Sequence, residues 1–486
     1  MPTSAKLALL FSMSTLLACT TRTLGEPTPV VSRGDITPVV QSTNRDLDIL
    51  FVVDDSSSMQ LLQDKLTANF PAFMQVLEAL PLPNVHIAVV SSDLGAGRFQ
   101  ANEVPGCRHG GDQGKFQFAP RGACAKGRLD DGQTFLSNIN GRVNYTGDIA
   151  DAFGCIADLG QAGCGMEHQF GSMLRALGAD GHGGAPAENA GFLRPGAWLA
   201  VVIITNEDDC SAPLESSVFD PASKYVTDPL GPQSSYRCNF VGHLCDGKKL
   251  PLLSGGTYKD CVSAEDGVLL RVSDVVAGLK GLKADPNKIL VAAIAGPPQP
   301  YVVTDDMPPT NDDPAGKWPQ VNHSCTQADG TNADPGVRLW DWVHAFGANG
   351  LFETICRDSL TPALMRIGEV LGNKISHSAC VTGQILDASG APWASGDAPG
   401  PDCSVVEHAF DASGAPVDTV LPSCAASPSA PCWRLEPAAA GACAAGDHVL
   451  KLVNHDPDAS SLDTTLTCAM HVCPAAGAPN PPPGCP

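Results

Sequence analysis

The apolar positions of this chain switch between two spacings. Five apolar residues in a row, Ile49 to Val53, predict a strand buried on both faces, since the run leaves no polar side for solvent. The next segment changes period. Leu62, Leu66, Phe70, Phe73, Met74, Leu77 and Leu80 recur every three or four residues, as on an amphipathic helix lying against a sheet. Pro71 falls within that stripe and predicts a kink or a restart. The alternation then continues: Val85–Ser91, 198–205 and Ile289–Ala295 read as strands, and 167–177, 268–282 and 351–371 as helices. Strand and helix in succession predict an α/β domain, a doubly wound, mostly parallel sheet covered by helices on both faces.

The intervening segments have a different character. Residues 107–145 and 210–261 are cysteine-bearing and read as disulfide-stapled insertions, crowding the rim on which the strands end in polar residues. Residues 296–336 read as a Pro- and Asp-rich loop. Beyond about Ile375 helical periodicity vanishes, and Ala, Gly, Pro, Ser and Cys dominate. Residues 375–486 therefore read as a small Cys-rich, β-rich C-terminal domain, with strands at 381–386, 403–406 and 448–453 and a mobile Pro/Gly tail.

At 486 residues the chain exceeds one ordinary core, in keeping with two folded parts and tails. A net charge of −22 argues against nucleic acid and against adsorption to anionic lipid. At the amino end, Lys6 precedes a short apolar stretch, and Leu16-Leu17-Ala18-Cys19 resembles a bacterial lipobox. Residues 1–18 then read as a lipoprotein signal peptide, Cys19 as the lipidated residue and 19–45 as a flexible tether. The expected location is the cell envelope, at the outer membrane or cell surface with a periplasmic face left open, and membrane contact through the N-terminal lipid only. The Arg33-Gly34-Asp35 tripeptide in the tether is common enough by chance to carry no weight.

The cysteines support an oxidising compartment. With Cys19 set aside, those from Cys107 to Cys356 and those from Cys380 to Cys485 are each even in number, as expected if each part closes its own disulfides. Short loops favour Cys107–Cys124, Cys155–Cys164 and Cys325–Cys356. No Cys-x-x-Cys occurs, so zinc is a poor second choice.

The densest chemistry follows the first strand. Asp54-x-Ser56-x-Ser58 sets one carboxylate and two hydroxyls on the turn at its carboxyl end, where open α/β sheets bind ligands. Oxygen donors of this kind suit a hard divalent cation, Mg²⁺ first and Ca²⁺ or Mn²⁺ after it. Strand, motif and helix together resemble the metal-ion-dependent adhesion site of von Willebrand factor type A (VWA) domains, a Rossmann-like fold, over residues 46–374. The resemblance implies three loops around one ion, with one coordination position completed by a partner's acidic group.

The first loop matches through Asp54, Ser56 and Ser58, with Asp55 and Ser57 expected to face away. In the second loop the expected threonine is missing, and Glu167 stands where a ligand oxygen could come from. It reads equally as a first-turn acid favoured by a helix dipole. The third loop reads Thr205-Asn206-Glu207-Asp208-Asp209, with Asn206 in the family aspartate's place and Asp208 as a further ligand or a solvated acidic turn.

The resulting expectation is a lipid-anchored binding protein whose cation engages a protein or glycan partner through an acidic group. A structural or assembly protein of the envelope, stabilised by the metal, is the alternative. A secreted hydrolase is the weakest reading: there is no Gly-x-Ser-x-Gly, no His-Glu-x-x-His and no paired carboxylates at catalytic spacing. His168, His323, His344 and His377 read as surface or loop residues.

Overall fold

The computed structural model describes residues 38–39, 46–78, 84–104, 106–119, 127–139, 141–253, 255–377 and, with short gaps, 380–471. The signal segment, Cys19, Arg33-Gly34-Asp35 and Cys124 lie outside them. In chain order the main elements are β1 (Leu47–Val53), α1 (Gln60–Glu78), β2 (Val85–Ser91), β3 (Leu136–Ile139), β4 (Arg142–Val143), α2 (Ile149–Ala157) and α3 (Gln169–Leu177). They continue as β5 (Trp198–Ile204), α4 (Tyr236–Gly242), α5 (Val272–Lys280), β6 (Ile289–Ala295), α6 (Val337–His344), β7 (Gly350–Thr354) and α7 (Thr361–His377).

The seven strands form one mixed sheet in the order β7-β6-β5-β1-β2-β3-β4. The five from β7 to β2 run parallel, and β3 and β4 add an antiparallel edge. β1 sits inside the sheet, and all seven of its residues are buried. Its alternate side chains serve two cores. Leu47, Ile49, Phe51 and Val53 face α1, α2 and α7. Leu50 and Val52 face α3, α5 and α6. This is why the run lacks polar alternation. The exception is Asp48, fully buried yet bound by the backbone N–H (2.7 Å) and Nε (2.8 Å) of Arg194.

Three expectations need correction. Residues 351–371 are not one helix: Gly350–Thr354 is a strand beside β6, and α7 begins only at Thr361. A short apolar run with few polar interruptions cannot be told from helix by period alone. The segment 296–336 is not one loop, since Tyr301–Met307 pairs antiparallel with Trp318–Val321, and Cys325–Thr326 with Asn332–Ala333. Pro71 does not restart the helix. α1 runs through it with the ring on the exposed side, at the loss of one backbone hydrogen bond.

The disulfides are also partly different. Cys325–Cys356 forms as expected. Cys107 instead bonds Cys164, across 57 residues, which excludes both Cys107–Cys124 and Cys155–Cys164. The reason is spatial: two rim segments far apart in sequence pack together around Ala96, Met166 and Phe219. Cys210–Cys238 and Cys245–Cys261 staple the second insertion.

After residue 380 a separate apolar cluster gathers Val381, Ile385, Val405, Trp433 and Leu466 between short sheets. Cys403–Phe410 lies between Pro416–Leu421 and Asp463–Cys468, with Cys403–Cys468 and Cys424–Cys432 closed. Pro38–Val39, expected as tether, pairs with Thr467 and Leu466 at the edge of that sheet. Among the described residues no helix is long and apolar enough to cross a membrane.

The centre of the larger core is aromatic. The Phe51 ring meets Phe70, Phe73 and Phe153 edge-on at 5.7, 5.9 and 4.9 Å between centroids. Phe51→Ala should therefore lower the unfolding free energy by about 3–5 kcal/mol in chemical denaturation, because it removes a fully buried ring packed against three others and leaves a cavity among them. A loss below about 1 kcal/mol would contradict that packing.

Candidate metal centre

The site follows from topology. From β1 the chain passes to β2 on one side, and from β5 it passes to β6 on the other. β1 and β5 are neighbours, so the loops leaving their carboxyl ends diverge and open a crevice between them. Asp54 and Thr205 are the first residues beyond those two strands. Their backbones are tied across the rim, Asp54 N–H to Ile204 C=O (3.0 Å) and Thr205 N–H to Ile294 C=O (3.2 Å).

Asp54 is completely buried. Its Oδ1 accepts from the Ser56 N–H at 2.8 Å, and its Oδ2 from the Thr205 hydroxyl at 2.6 Å. Burial pushes its pKa above the ordinary carboxylate value, and the Thr205 and Ser56 hydrogen bonds oppose that rise. The Ser56 and Ser58 hydroxyls lie 3.3 Å apart. Ser58 Oγ is also 3.2 Å from Asn206 Oδ1 and accepts from Asn206 Nδ2 at 3.0 Å. The structure thus brings Asp54, Ser56, Ser58 and Asn206 together, graded from a buried carboxylate to the exposed Ser58. Ser57 is exposed, whereas Asp55 is buried beneath the second loop, its backbone C=O accepting from the Gly163 N–H at 2.9 Å. A β-carbon at Gly163 would lie 2.3 Å from Asp55 Oδ1, so only glycine fits.

Glu167 and Asp208 line a pocket beside this cluster, and the Asp54 charge reaches Glu167 there. Glu167 is 2% exposed, and its Oε1 has no hydrogen-bond partner. Its carboxyl is hydrogen-bonded to that of Glu207. Desolvation, then the Glu207 and Asp54 charges, drive the Glu167 pKa far up. Desolvation, then Asp334 and Asp54, push Glu207 up to about 8.

Asp208 is not a solvated turn. Its Oδ2 accepts from His243 Nε2 (2.8 Å) and the Arg338 N–H (2.8 Å), and its Oδ1 from the Leu339 N–H (3.2 Å). It caps α6. Asp209 does the same for α3, accepting from the Phe170 N–H at 2.9 Å while the fully buried Arg338 pairs with its other oxygen at 3.0 Å. Two consecutive carboxylates therefore complement the amino ends of two different helices and fix the third loop. His168 is likewise not a surface residue. It is 3% exposed, contacts Gly95 C=O at 3.0 Å, and burial lowers its pKa to about 4.

Three residues that order the site escape motif reading. Thr205 orients Asp54, and Gln169 Nε2 donates to Thr205 Oγ1 at 3.0 Å. Gln63, 1% exposed, donates to Asp54 C=O and Gly160 C=O and accepts from the Leu159 and Gly160 N–H groups. All four bonds of one amide join the first loop to the second. Its signal in the sequence is a lone polar residue on the apolar face of α1.

Among the described residues, no three His, Cys, Asp or Glu side chains group as a metal cage. The donor set at the crevice is of another kind, one carboxylate with hydroxyls and an amide. Six oxygens at about 2.1 Å around Mg²⁺ stand roughly 3 Å apart along each edge of the octahedron. The Ser56–Ser58 and Ser58–Asn206 separations of 3.3 Å and 3.2 Å come close to two such edges, so the residues present are compatible with the ion.

No protein-family model matches the chain, and no curated protein does. Among solved structures, the pilus adhesin SpaC from Lactobacillus rhamnosus GG is similar at 10% identity and a TM-score of 0.30. The match covers 88% of this chain and 40% of that one, so the chain spans well under half its length. A likeness at that level fixes neither family nor function.

The facing glutamates give a pH signature. Their folded pKa values are raised, so the stability this pair contributes in the metal-free protein is full below the ordinary value of 4.5 and is lost as pH rises through about 8. Melting temperature in chelator should fall between about pH 5 and pH 9, and Glu207→Gln should flatten the slope. An unchanged slope in the variant would remove Glu207 as its source.

Proposed function

We propose that the crevice holds a divalent cation, Mg²⁺ by preference, and that the protein is a VWA-type binding module. Asp54, Ser56, Ser58 and Asn206 would hold the ion, and Thr205 and Gln63 would keep the loops in register. The observation that carries this reading is the grading of the donors across a topological switch point. The charge-bearing oxygen is sunk in the sheet and the last hydroxyl stands in solvent, so a bound ion would keep an outward position for another ligand. A hard dication supplies attraction for an oxygen anion there. The partner class that fits is a protein or glycan offering an acidic group, bound by ligand exchange with no bond made or broken. Envelope attachment through Cys19 belongs to the same proposal.

Isothermal titration of the metal-free protein with Mg²⁺ and Mn²⁺ tests it. Asp54→Ala should weaken cation binding by more than about 100-fold and Ser58→Ala by about 10-fold, since a carboxylate contributes more than a hydroxyl. Capture of an acidic partner should disappear in chelator and in Asp54→Ala alike. Wild-type protein that takes up none of Mg²⁺, Mn²⁺ or Ca²⁺, or Asp54→Ala that binds as wild type, sinks the proposal.

A further inference from the structure

Apart from the crevice, three segments far apart in sequence enclose a cleft of about 570 Å³, within the size range of small-molecule sites. Residues 102–103 follow β2, and 221–233 belong to the second insertion. Residues 310–318 close the hairpin of Tyr301–Met307 and Trp318–Val321. None of Asp54, Ser56, Ser58 and Asn206 lines it. Its walls are fixed from behind. Arg237, 1% exposed, donates to the carbonyls of Val218, Asp220, Ser223, Gly231 and Pro232, which holds the backbone of the insertion. Asn311 Nδ2 donates to the Lys224 C=O at 3.0 Å. Asp313 Oδ2 accepts from the Val226 N–H at 2.8 Å and from Trp318 Nε1 at 2.9 Å. Hairpin and insertion are thereby locked together, so the cleft keeps its shape without a ligand.

The lining is polar, and much of its hydrogen-bonding capacity is unused. Among the described residues, the Asn102 amide, the Lys224 ammonium and the Thr310 hydroxyl make no hydrogen bond or ion pair. The Glu103 carboxylate accepts the Gln100 N–H at 2.9 Å and has no cationic partner among those residues. Gln233 Nε2 has no exposed surface and no hydrogen-bond partner. A buried amide N–H without an acceptor is costly unless something that binds beside it supplies one.

We propose that this cleft binds a neutral oligosaccharide. A sugar hydroxyl donates and accepts at once, so a few of them can satisfy amides, a carboxylate, an ammonium and a hydroxyl in one small space. Glu103 and Lys224 carry opposite charges, which leaves the lining with no net charge to select an anion or a cation. Pro221, Ala222 and the buried indole of Trp318 supply apolar surface for the C–H face of a sugar ring. An apolar ligand would instead strand the polar groups. The site needs no cation and stands independently of the Asp54 centre.

The test uses the full chain in chelator, with saturation-transfer NMR and calorimetry against soluble probes. These are a neutral hexose disaccharide, an N-acetylhexosamine disaccharide and a uronic-acid disaccharide. A neutral sugar should bind with a Kd below about 10 mM, and the uronate more weakly. The double variant Asn102→Ala/Thr310→Val alters two exposed residues and should weaken that binding by about 10-fold or more, as should Gln233→Leu. Asp54→Ala should bind the sugar as wild type does, which keeps this result separate from the fate of the metal centre. Failure of wild type to bind either neutral sugar would overturn the assignment, and needs no variant to fold. So would an isotherm unchanged in both variants, or binding that appears only with Mg²⁺. Tighter binding of the uronate than of the neutral sugars would overturn the neutral class.

Discussion

The burial of one carboxylate organises the whole rim. Asp54 leaves the central strand with no exposed surface, and an acid so placed needs donors from every side. It draws them from its own loop through Ser56, and from the neighbouring strand through Thr205. Gln63 then grips the same residue's carbonyl while holding the second loop. The sheet sets the distance between β1 and β5, and the hydrogen bonds to Asp54 turn that distance into a crevice of fixed shape. Loss of this carboxylate would leave Thr205, Ser56 and Gln169 with nothing to converge on.

The third loop is rigid for a different reason. Glu207-Asp208-Asp209 looks like a solvated acidic run, yet each residue has a separate task. Asp208 and Asp209 complete the amino ends of α6 and α3, which lie on the same face of the sheet, and Arg338 bridges the loop to α6. An isolated buried ion pair is weak evidence for stability, but here the carboxylates also satisfy helix amides that would otherwise be unpaired. With those two oriented inward, Glu207 is left facing Glu167. The charges of Asp54 and Asp334 bear on that pair as well.

The four central strands β1, β2, β5 and β6 were legible because each is a short apolar run, and Val85–Ser91 and Ile289–Ala295 match their spacing. The edge strands β3 and β4, with Ser137, Asn138 and Arg142, fell inside a segment that reads as an insertion. The covering helices α1, α3 and α5 were legible through their three-to-four periodicity. β7 was not, because Gly350–Thr354 carries too few residues to show a period before α7 takes over. At the site, Asp54, Ser56 and Ser58 were readable as a motif, since they lie within five residues of one another. Gln63, Thr205 and the caps by Asp208 and Asp209 were not, because their meaning depends on partners up to 151 residues away, as for Thr205 and Asp54. Disulfide pairing failed for the same cause: sequence distance misjudged Cys107 and Cys164, which meet only above the folded rim.

The register of β1 has a consequence for how the chain reaches this state. Leu47 is matched on one flank by Val85 but on the other by Trp198, so its second neighbour is synthesised much later. Until then this largely apolar central strand presents a bare edge, and pairings so distant in sequence form slowly. A nascent chain halted between these two strands would expose a template for self-association. The insertion at 107–145, tied down by Cys107–Cys164, lengthens that interval, which makes the biogenesis of this protein more demanding than its finished sheet would imply.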